Sequence, residues 1–289
     1  MIKLIASDLD GTIIDGSNSI SKDNLKAIDS LRKENIPLVI CTGKTYALSK
    51  DVCKNLHARF GIFGNGSQIV DLSTGNEILS KYLSLSEIKA CYSIIQKYDL
   101  HVHAYTETSI ITPKLLYMDL RNSILFPDKV NIKIVDSVLD YAKAEKEPIL
   151  KLIVSSTSSL LKVKEELEKA TDLNIIHITK TGIYKDNVIN KEYEYLDISP
   201  LNATKGNALQ VLSNYLDVQK DDILSIGDNI NDIDMFKVSN ISVAVNNACD
   251  QVKLNANYVA KNSVENGAFA EAIYKFIPFN TNINDELKK

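Results

Sequence analysis

The chain has 289 residues, 45% of them hydrophobic and 24% charged, which allows one large domain or two ordinary ones with a sizeable core and excludes extensive disorder. Lys and Arg total 33 against 37 Asp and Glu, a formal net charge of −4, so there is no electrostatic footprint for a nucleic-acid backbone or an anionic membrane. The four cysteines, Cys41, Cys53, Cys91 and Cys249, are scattered without a Cys-x-x-Cys pair; no disulfide framework or cysteine zinc site is suggested, and a reducing cytoplasm fits them. The opening MIKLIA is too short for a signal-peptide core, and no stretch approaches the roughly 18 uninterrupted apolar residues of a membrane span. A soluble, cytoplasmic protein is expected.

Ile2 to Ala6 is a short apolar run ended by the polar SDLDGT, the pattern of a buried parallel strand whose C-terminal end opens into a loop. After Ser21, a candidate N-cap, Leu25, Ile28 and Leu31 recur at helical spacing, and the run Ile36 to Cys41 then ends at Thr42-Gly43. The opening reads β-α-β. A further helix is predicted from near Thr45 and a strand at Gly61 to Phe63, and Asn65-Gly66 between apolar residues signals a tight hairpin turn. From Leu83 to Glu192 the texture changes. Amphipathic helices around Ser86–Tyr98 and Ser158–Ala170 alternate there with strand-like segments at His101–Thr112, Asn131–Val135, Ile149–Ser155 and Ile175–Thr179. In KEYEYLD, Tyr193 and Tyr195 alternate with acids, which reads as a strand returning to the core. Beyond Pro200 a helix from about Lys205 to Leu216, a strand at Ile223–Ile226, the loop GDNINDIDM and a strand at Ile241–Val245 restore the β-α-β texture. The tail NTNINDELKK reads as frayed.

In open parallel sheets ligands bind at the carboxyl ends of the strands, and the candidate chemistry lies in four loops placed there. Asp8 and Asp10 in DLDGT offer two carboxylates two residues apart, one to attack an electrophile and one to serve as general acid and base. Thr42 and Gly43 offer a hydroxyl and backbone amides to phosphate oxygens. Lys205 in NATKGNAL is a cation at the start of a helix, where the helix dipole also favours anions. Asp228, Asn231 and Asp232 in GDNIND add acidic oxygens suited to a hard cation such as magnesium.

These four segments, in this order, resemble the haloacid-dehalogenase (HAD) phosphatase superfamily, and ICTGK, KGNAL and GDNINDIDM are similar to its Cof-type, class IIB branch. The likeness implies an α/β fold: a Rossmann-like parallel core from 1–82 and 193–289, with an inserted α+β cap at 83–192 that carries substrate specificity. It implies a Mg2+-dependent phosphatase acting on a small phosphorylated metabolite through an aspartyl phosphate. Asp8 would be the nucleophile, and Asp10 would protonate the leaving alcohol and then activate water. The metal would sit between the Asp8 carboxylate, the backbone carbonyl of Asp10 and Asp228, with Asp232 in support. Thr42, Gly43, Lys205 and Asn231 would hold the phosphoryl oxygens. No nucleic acid or membrane partner is implied, and a monomer or weak homodimer is expected. Asp10 also argues for fast dephosphorylation, because ion-transporting members with a long-lived aspartyl phosphate carry threonine there. One departure stands out: the family's Thr-Gly-Arg is Thr-Gly-Lys here, so Lys44 lacks the planar two-pronged recognition of arginine.

Each feature alone is weak, since Asp-x-Asp and Thr-Gly are common in turns and a lone lysine is commonly solvated. Their joint order carries the reading. Three decoys fall away. Gly43-Lys44-Thr45 imitates a P-loop, but the first glycine of that pattern is replaced by Leu38. Cys53 and Arg59 have cysteine-phosphatase spacing, but KNLHA between them contains no glycine and reads as helix. His101 and His103 share a strand face without an evident third ligand. Two rival functions remain at this level: a phosphomutase built on the same carboxylates, and a non-catalytic phospholigand-binding regulator.

Overall fold

A computed structural model of the chain describes residues 1–17, 19–113, 131–182 and 191–279, the side chains of 179–193 excepted. The tail 280–289 and the side chain of Tyr193 therefore lie outside the described residues. In chain order the first part forms β1 (Leu4–Ser7), α1 (Lys22–Lys33), β2 (Leu38–Cys41), α2 (Tyr46–Asn55), β3 (Phe60–Phe63), β4 (Gln68–Asp71) and β5 (Glu77–Ser80). The middle forms α3 (Leu85–Ile95), β6 (His101–Tyr105), β7 (Ser109–Thr112), β8 (Asn131–Ile134), α4 (Val138–Lys143), β9 (Lys151–Ser156), α5 (Leu161–Ala170), β10 (Asn174–Gly182) and β11 (Lys191–Ser199). The last part forms α6 (Lys205–Tyr215), β12 (Ile223–Gly227), α7 (Ile233–Lys237), β13 (Ile241–Ala244), α8 (Asp250–Asn255), β14 (Tyr258–Val259) and α9 (Ala268–Phe276).

The chain divides into two compact units, one of Met1–Gly43, Lys50–Leu79 and Thr204–Lys289, the other of Lys44–Ser49 and Ser80–Ala203. The first is built on an eight-stranded sheet in the order β14-β13-β12-β1-β2-β3-β4-β5. The strands from β14 to β3 are parallel, and β4 turns back antiparallel on β3 through the expected hairpin. Strands β1, β2, β3 and β12 are buried along their whole length, which is why they read as continuous apolar runs rather than alternating ones. Ala208, Leu209 and Leu212 of α6 pack with Leu4, Ala6, Val39 and Ile62 of the sheet, while α1 packs with α9. The Ser21 hydroxyl accepts the Asn24 N–H and caps α1, as the sequence predicts. Buried Asn24 ties this layer together: its amide donates to Ile13 O, and its Oδ1 accepts the N–H of Ala270 in α9.

The second unit is a six-stranded sheet, β10-β11-β9-β6-β7-β8, in which only β7 and β8 run parallel. Period-two alternation sorts its side chains. Val102, Ala104, Leu152, Val154, Leu196 and Ile198 share one core with Ile88, Cys91 and Ile95 of α3 and Val163 and Leu167 of α5. The expected strand His101–Thr112 is two strands, β6 and β7, broken by a turn in which the Thr106 hydroxyl accepts the N–H groups of Thr108 and Ser109.

One expectation is overturned. The segment around Tyr195 does not lead back into the first sheet: β11 pairs antiparallel with both β10 and β9. Leu196 and Ile198 bury with α3 and α5, so their apolar area keeps the strand in the second sheet, and β11 falls within the Ser80–Ala203 part of the second unit.

On the sheet face away from those helices, Lys151 Nζ lies 2.6 Å from Asp197 Oδ2, with both side chains nearly inaccessible, and 5.1 Å from the centroid of the Tyr105 ring. Removing one partner of such a pair strands a buried charge, so Asp197→Ala should destabilise the inserted unit by about 3 to 5 kcal/mol. Chemical denaturation followed by far-UV circular dichroism would read this. A loss near zero would show that the pair contributes nothing.

Candidate active site

The site forms where the strand order switches. From β1 the chain proceeds to β2 and β3 on one side, and β12 and β13 lie on the other, so the loops after β1, β2 and β12 leave the same edge of the sheet side by side. Asp8 follows β1 directly, and its N–H donates to Ile226 O on β12 at 2.9 Å. Gly11 gives the next turn its shape: it adopts φ +88°, and a Cβ there would stand 2.5 Å from Asp228 Oδ2. Only glycine lets the two acidic loops approach so closely. Thr12, fully buried, lies with its hydroxyl 3.5 Å from Asp228 Oδ1.

Lys205 is the first residue of α6, whose N-cap Thr204 accepts the Asn207 N–H. Its side chain is 1% exposed, and its ammonium donates to Asp8 Oδ1 and to Asp232 Oδ1, both at 2.6 Å. Asp232 is fully buried. Its second oxygen accepts the N–H groups of Asp228 and Asn229, each at 3.0 Å, so one carboxylate both shapes the GDNIND turn and holds the lysine. Carboxylate oxygens of Asp8, Asp228 and Asp232 lie within 4.8 Å of one another, a group that could hold a metal ion.

The electrostatics are unbalanced in an informative way. Burial pushes the Asp8 carboxyl well above the usual carboxylate range; Lys205 opposes this, and Asp232, Asp228 and Asp10 add to it. Burial and the nearby Asp232 raise Asp228 to about 7 against the pull of Lys205. For Lys205 itself, burial works against the charged form, but Asp232 and Asp8 outweigh it and raise its pKa. One ammonium thus faces three carboxylates, and the deficit is one that a divalent cation would remove.

The other predicted residues take distinct places. Asp10 is exposed, and its side chain is outside the three-carboxylate group. Thr42 is buried after β2, and Gly43 ends the first unit's opening segment. Asn231 donates from Nδ2 to Asn65 Oδ1 at 2.9 Å. Lys44 opens a short segment that groups with the other unit. The decoys are structural. Cys53 is buried on α2, and Arg59 pairs with Asp71 at 3.0 Å and lies over the Phe60 ring. His103 is buried beside His101, their ring centroids 5.6 Å apart, and no histidine belongs to a metal-holding group among the described residues. None of the four cysteines forms a disulfide, and no described helix is long and apolar enough to cross a membrane. Sequence reasoning missed Thr12 and Asn65. For Asn65 the signal is Gly64-Asn65-Gly66, which marks a tight hairpin turn able to help shape the entrance to the site but not the side-chain contact with Asn231.

A family model for the haloacid dehalogenase-like hydrolases matches residues 5–273. The chain belongs to that family. This HAD-like chain is 28% identical over 277 residues to a 5-amino-6-(5-phospho-D-ribitylamino)uracil phosphatase of Bacillus subtilis, with 96% of each chain covered. Its fold matches a haloacid dehalogenase-like hydrolase from B. subtilis at a TM-score of 0.80 and 19% identity, over 96% of this chain and 100% of the other. It also matches a HAD subclass IIB sugar phosphatase at a TM-score of 0.74 and 19% identity, over 95% and 98%. The HAD-like fold, and an enzyme of the phosphatase kind, stand on these likenesses together with the family match.

Proposed function

We propose that this HAD-like enzyme is a magnesium-dependent phosphatase that hydrolyses a small phosphorylated metabolite, a sugar phosphate or similar ester, through an aspartyl phosphate on Asp8. The observation that carries the reading is the buried Asp8–Lys205–Asp232 linkage at 2.6 Å beside Asp228. It joins a nucleophile, a fixed cation and a surplus of carboxylate oxygens at one sheet edge. The donor set fits magnesium, since it is all oxygen and short of positive charge. Asp8, the Asp10 backbone carbonyl and Asp228 would hold the ion, and Asp232 would support the group from behind, its oxygens already engaged by Lys205 and two backbone N–H groups. When bound, magnesium supplies charge neutralisation between the carboxylates and the phosphate.

The chain's own residues then divide the work. An Asp8 oxygen attacks phosphorus in line while Asp10 gives its proton to the departing alkoxide. Asp10, now ionised, takes a proton from water, which attacks the aspartyl phosphate and releases inorganic phosphate and the Asp8 carboxylate. Lys205 balances charge on the phosphoryl oxygens, and Thr42, Gly43 and Asn231 align them, because phosphoryl transfer is governed by positioning and electrostatics. The inserted unit, Ser80–Ala203, is proposed to select the non-phosphate part of the substrate. The ribityl phosphate named for the B. subtilis relative is a first compound to try.

A phosphate-release screen over a metabolite panel tests the reading. Release is expected with magnesium, and removal of the ion by a chelator is expected to bring it to background, reversibly. The same chelation should lower the thermal midpoint, because the carboxylates lose their counter-charge. Undiminished release in chelator would overturn metal dependence. Isomerised product without net phosphate would identify a mutase, and tight binding with no release across the panel would identify a regulator.

A further inference from the structure

The turn between β3 and β4 touches more of the site than any of the four motif loops predicts. Gly64–Gly66 forms a single tight turn in which Asn65, a non-glycine residue, adopts the left-handed conformation, φ 57° and ψ 25°, with its side chain 2% exposed. Its backbone N–H donates to Thr42 O at 3.1 Å. Its carboxamide closes over the next residue, since a Cβ on Gly43 would stand 3.0 Å from Asn65 Oδ1. That same oxygen accepts Asn231 Nδ2 at 2.9 Å. Gly66, at φ +106°, is pressed against the cap of the lysine helix, where a Cβ would stand 2.2 Å from Thr204 O. One buried turn thus braces the loops that carry Thr42, Lys205 and Asn231.

We propose that Asn65 is a positioning residue for phosphoryl transfer. Its carboxamide oxygen takes one of the two Asn231 amide hydrogens and so aims the other at a phosphoryl oxygen, while its backbone holds the Thr42–Gly43 loop in register with it. Asn231 Oδ1 is an acceptor and cannot bind a phosphoryl oxygen, so the Nδ2 that Asn65 holds is the end of the amide that would serve the phosphate. The left-handed backbone is part of the device. Asparagine tolerates that conformation better than other non-glycine residues, and it brings a side-chain acceptor that glycine lacks. The inference builds on the assignment of Thr42 and Asn231 to the phosphate.

A double-mutant cycle separates this role from a merely structural one. Asn65→Gly keeps the backbone conformation and removes the carboxamide. It is expected to lower kcat/KM for an aryl phosphate by about 10- to 100-fold, the scale of a misaligned reacting geometry, with a thermal midpoint lowered only by the few degrees that loss of one buried hydrogen bond brings. Asn65→Gly/Asn231→Ala should be no worse than Asn231→Ala alone, within about a factor of two. Losses that multiply, or an Asn65→Gly enzyme with wild-type kinetics, would overturn the proposal. Should Asn65→Gly not fold, Asn65→Asp retains an acceptor for Asn231, so Asn231→Ala should cost as much in that background as in the wild type; no cost there would equally overturn it. Inorganic phosphate binding in magnesium, measured by calorimetry, gives a readout independent of turnover: Asn65→Gly and Asn231→Ala should weaken it alike. A wild-type protein that releases no phosphate from any ester defeats the phosphatase reading, whereas an active wild type with an additive cycle defeats only the role of Asn65.

Discussion

Asp8→Asn is expected to bring magnesium-dependent turnover of an aryl phosphate to background, a loss on the order of 10⁴-fold or more, equivalent to at least about 5.4 kcal/mol of barrier at 1.36 kcal/mol per decade. The amide keeps the shape and can still accept the Lys205 hydrogen bond, but it cannot form the acyl phosphate. The same substitution should make the metal-free protein more stable. Asp8, Asp228 and Asp232 crowd around one ammonium, and burial disfavours the ionised Asp8; taking away one charge relieves both, by about 0.5 to 2 kcal/mol on the scale of relaxing a strained active site. A higher thermal midpoint in chelator together with lost turnover cannot arise from misfolding. Wild-type activity in Asp8→Asn would sink the nucleophile assignment, and lower stability would sink the charge count.

Lys205→Met should act oppositely on stability. It removes the cation that Asp8 and Asp232 share at 2.6 Å, all three side chains being buried. Breaking a buried ionic group from one side costs about 3 to 5 kcal/mol, because the remaining charges keep their desolvation penalty. Single-turnover kinetics should show a rate loss of about 10²- to 10³-fold, the scale of removing one preorganised group that stabilises transition-state charge. Magnesium should restore part of the stability and little of the rate. Lys205→Arg is not expected to rescue, since a planar guanidinium does not replace a compact ammonium that meets two carboxylates within a buried space. A Lys205→Met enzyme with undiminished single-turnover rate would show that the lysine holds the fold together and takes no part in the chemistry.

The contrast between these variants follows from a local fact that whole-chain charge conceals. A net charge of −4 over 289 residues is mild, yet at the end of β1 three carboxylates meet one lysine. The excess is what makes the place fit for a cation and costly without one.

The chain alone marked the parallel strands and singled out Asp8, Lys205 and Asp228 as candidates, because each sits in a polar loop directly after an apolar run or at the first turn of a helix. Those signals are local, set by burial of strands and by the capping of α6. The order of the loops also carried the family resemblance, which the match over residues 5–273 supports. The tertiary structure decided what depends on neighbours distant in sequence. Alternating Tyr and acid in KEYEYLD marks a strand but not its sheet, and β11 remained with the insert because Leu196 and Ile198 found their apolar partners there. Asp232 was legible as an acid of the fourth loop, but its division between Lys205 and two backbone N–H groups depends on a residue 27 positions away. Asn65 showed in the sequence as part of a hairpin turn that could shape the site entrance; its contacts with Thr42 and Asn231 exist because β2, β3 and β12 end at one edge. Periodicity and turn chemistry act over a few residues, whereas the partners of a buried amide or carboxylate are chosen by which strands lie side by side.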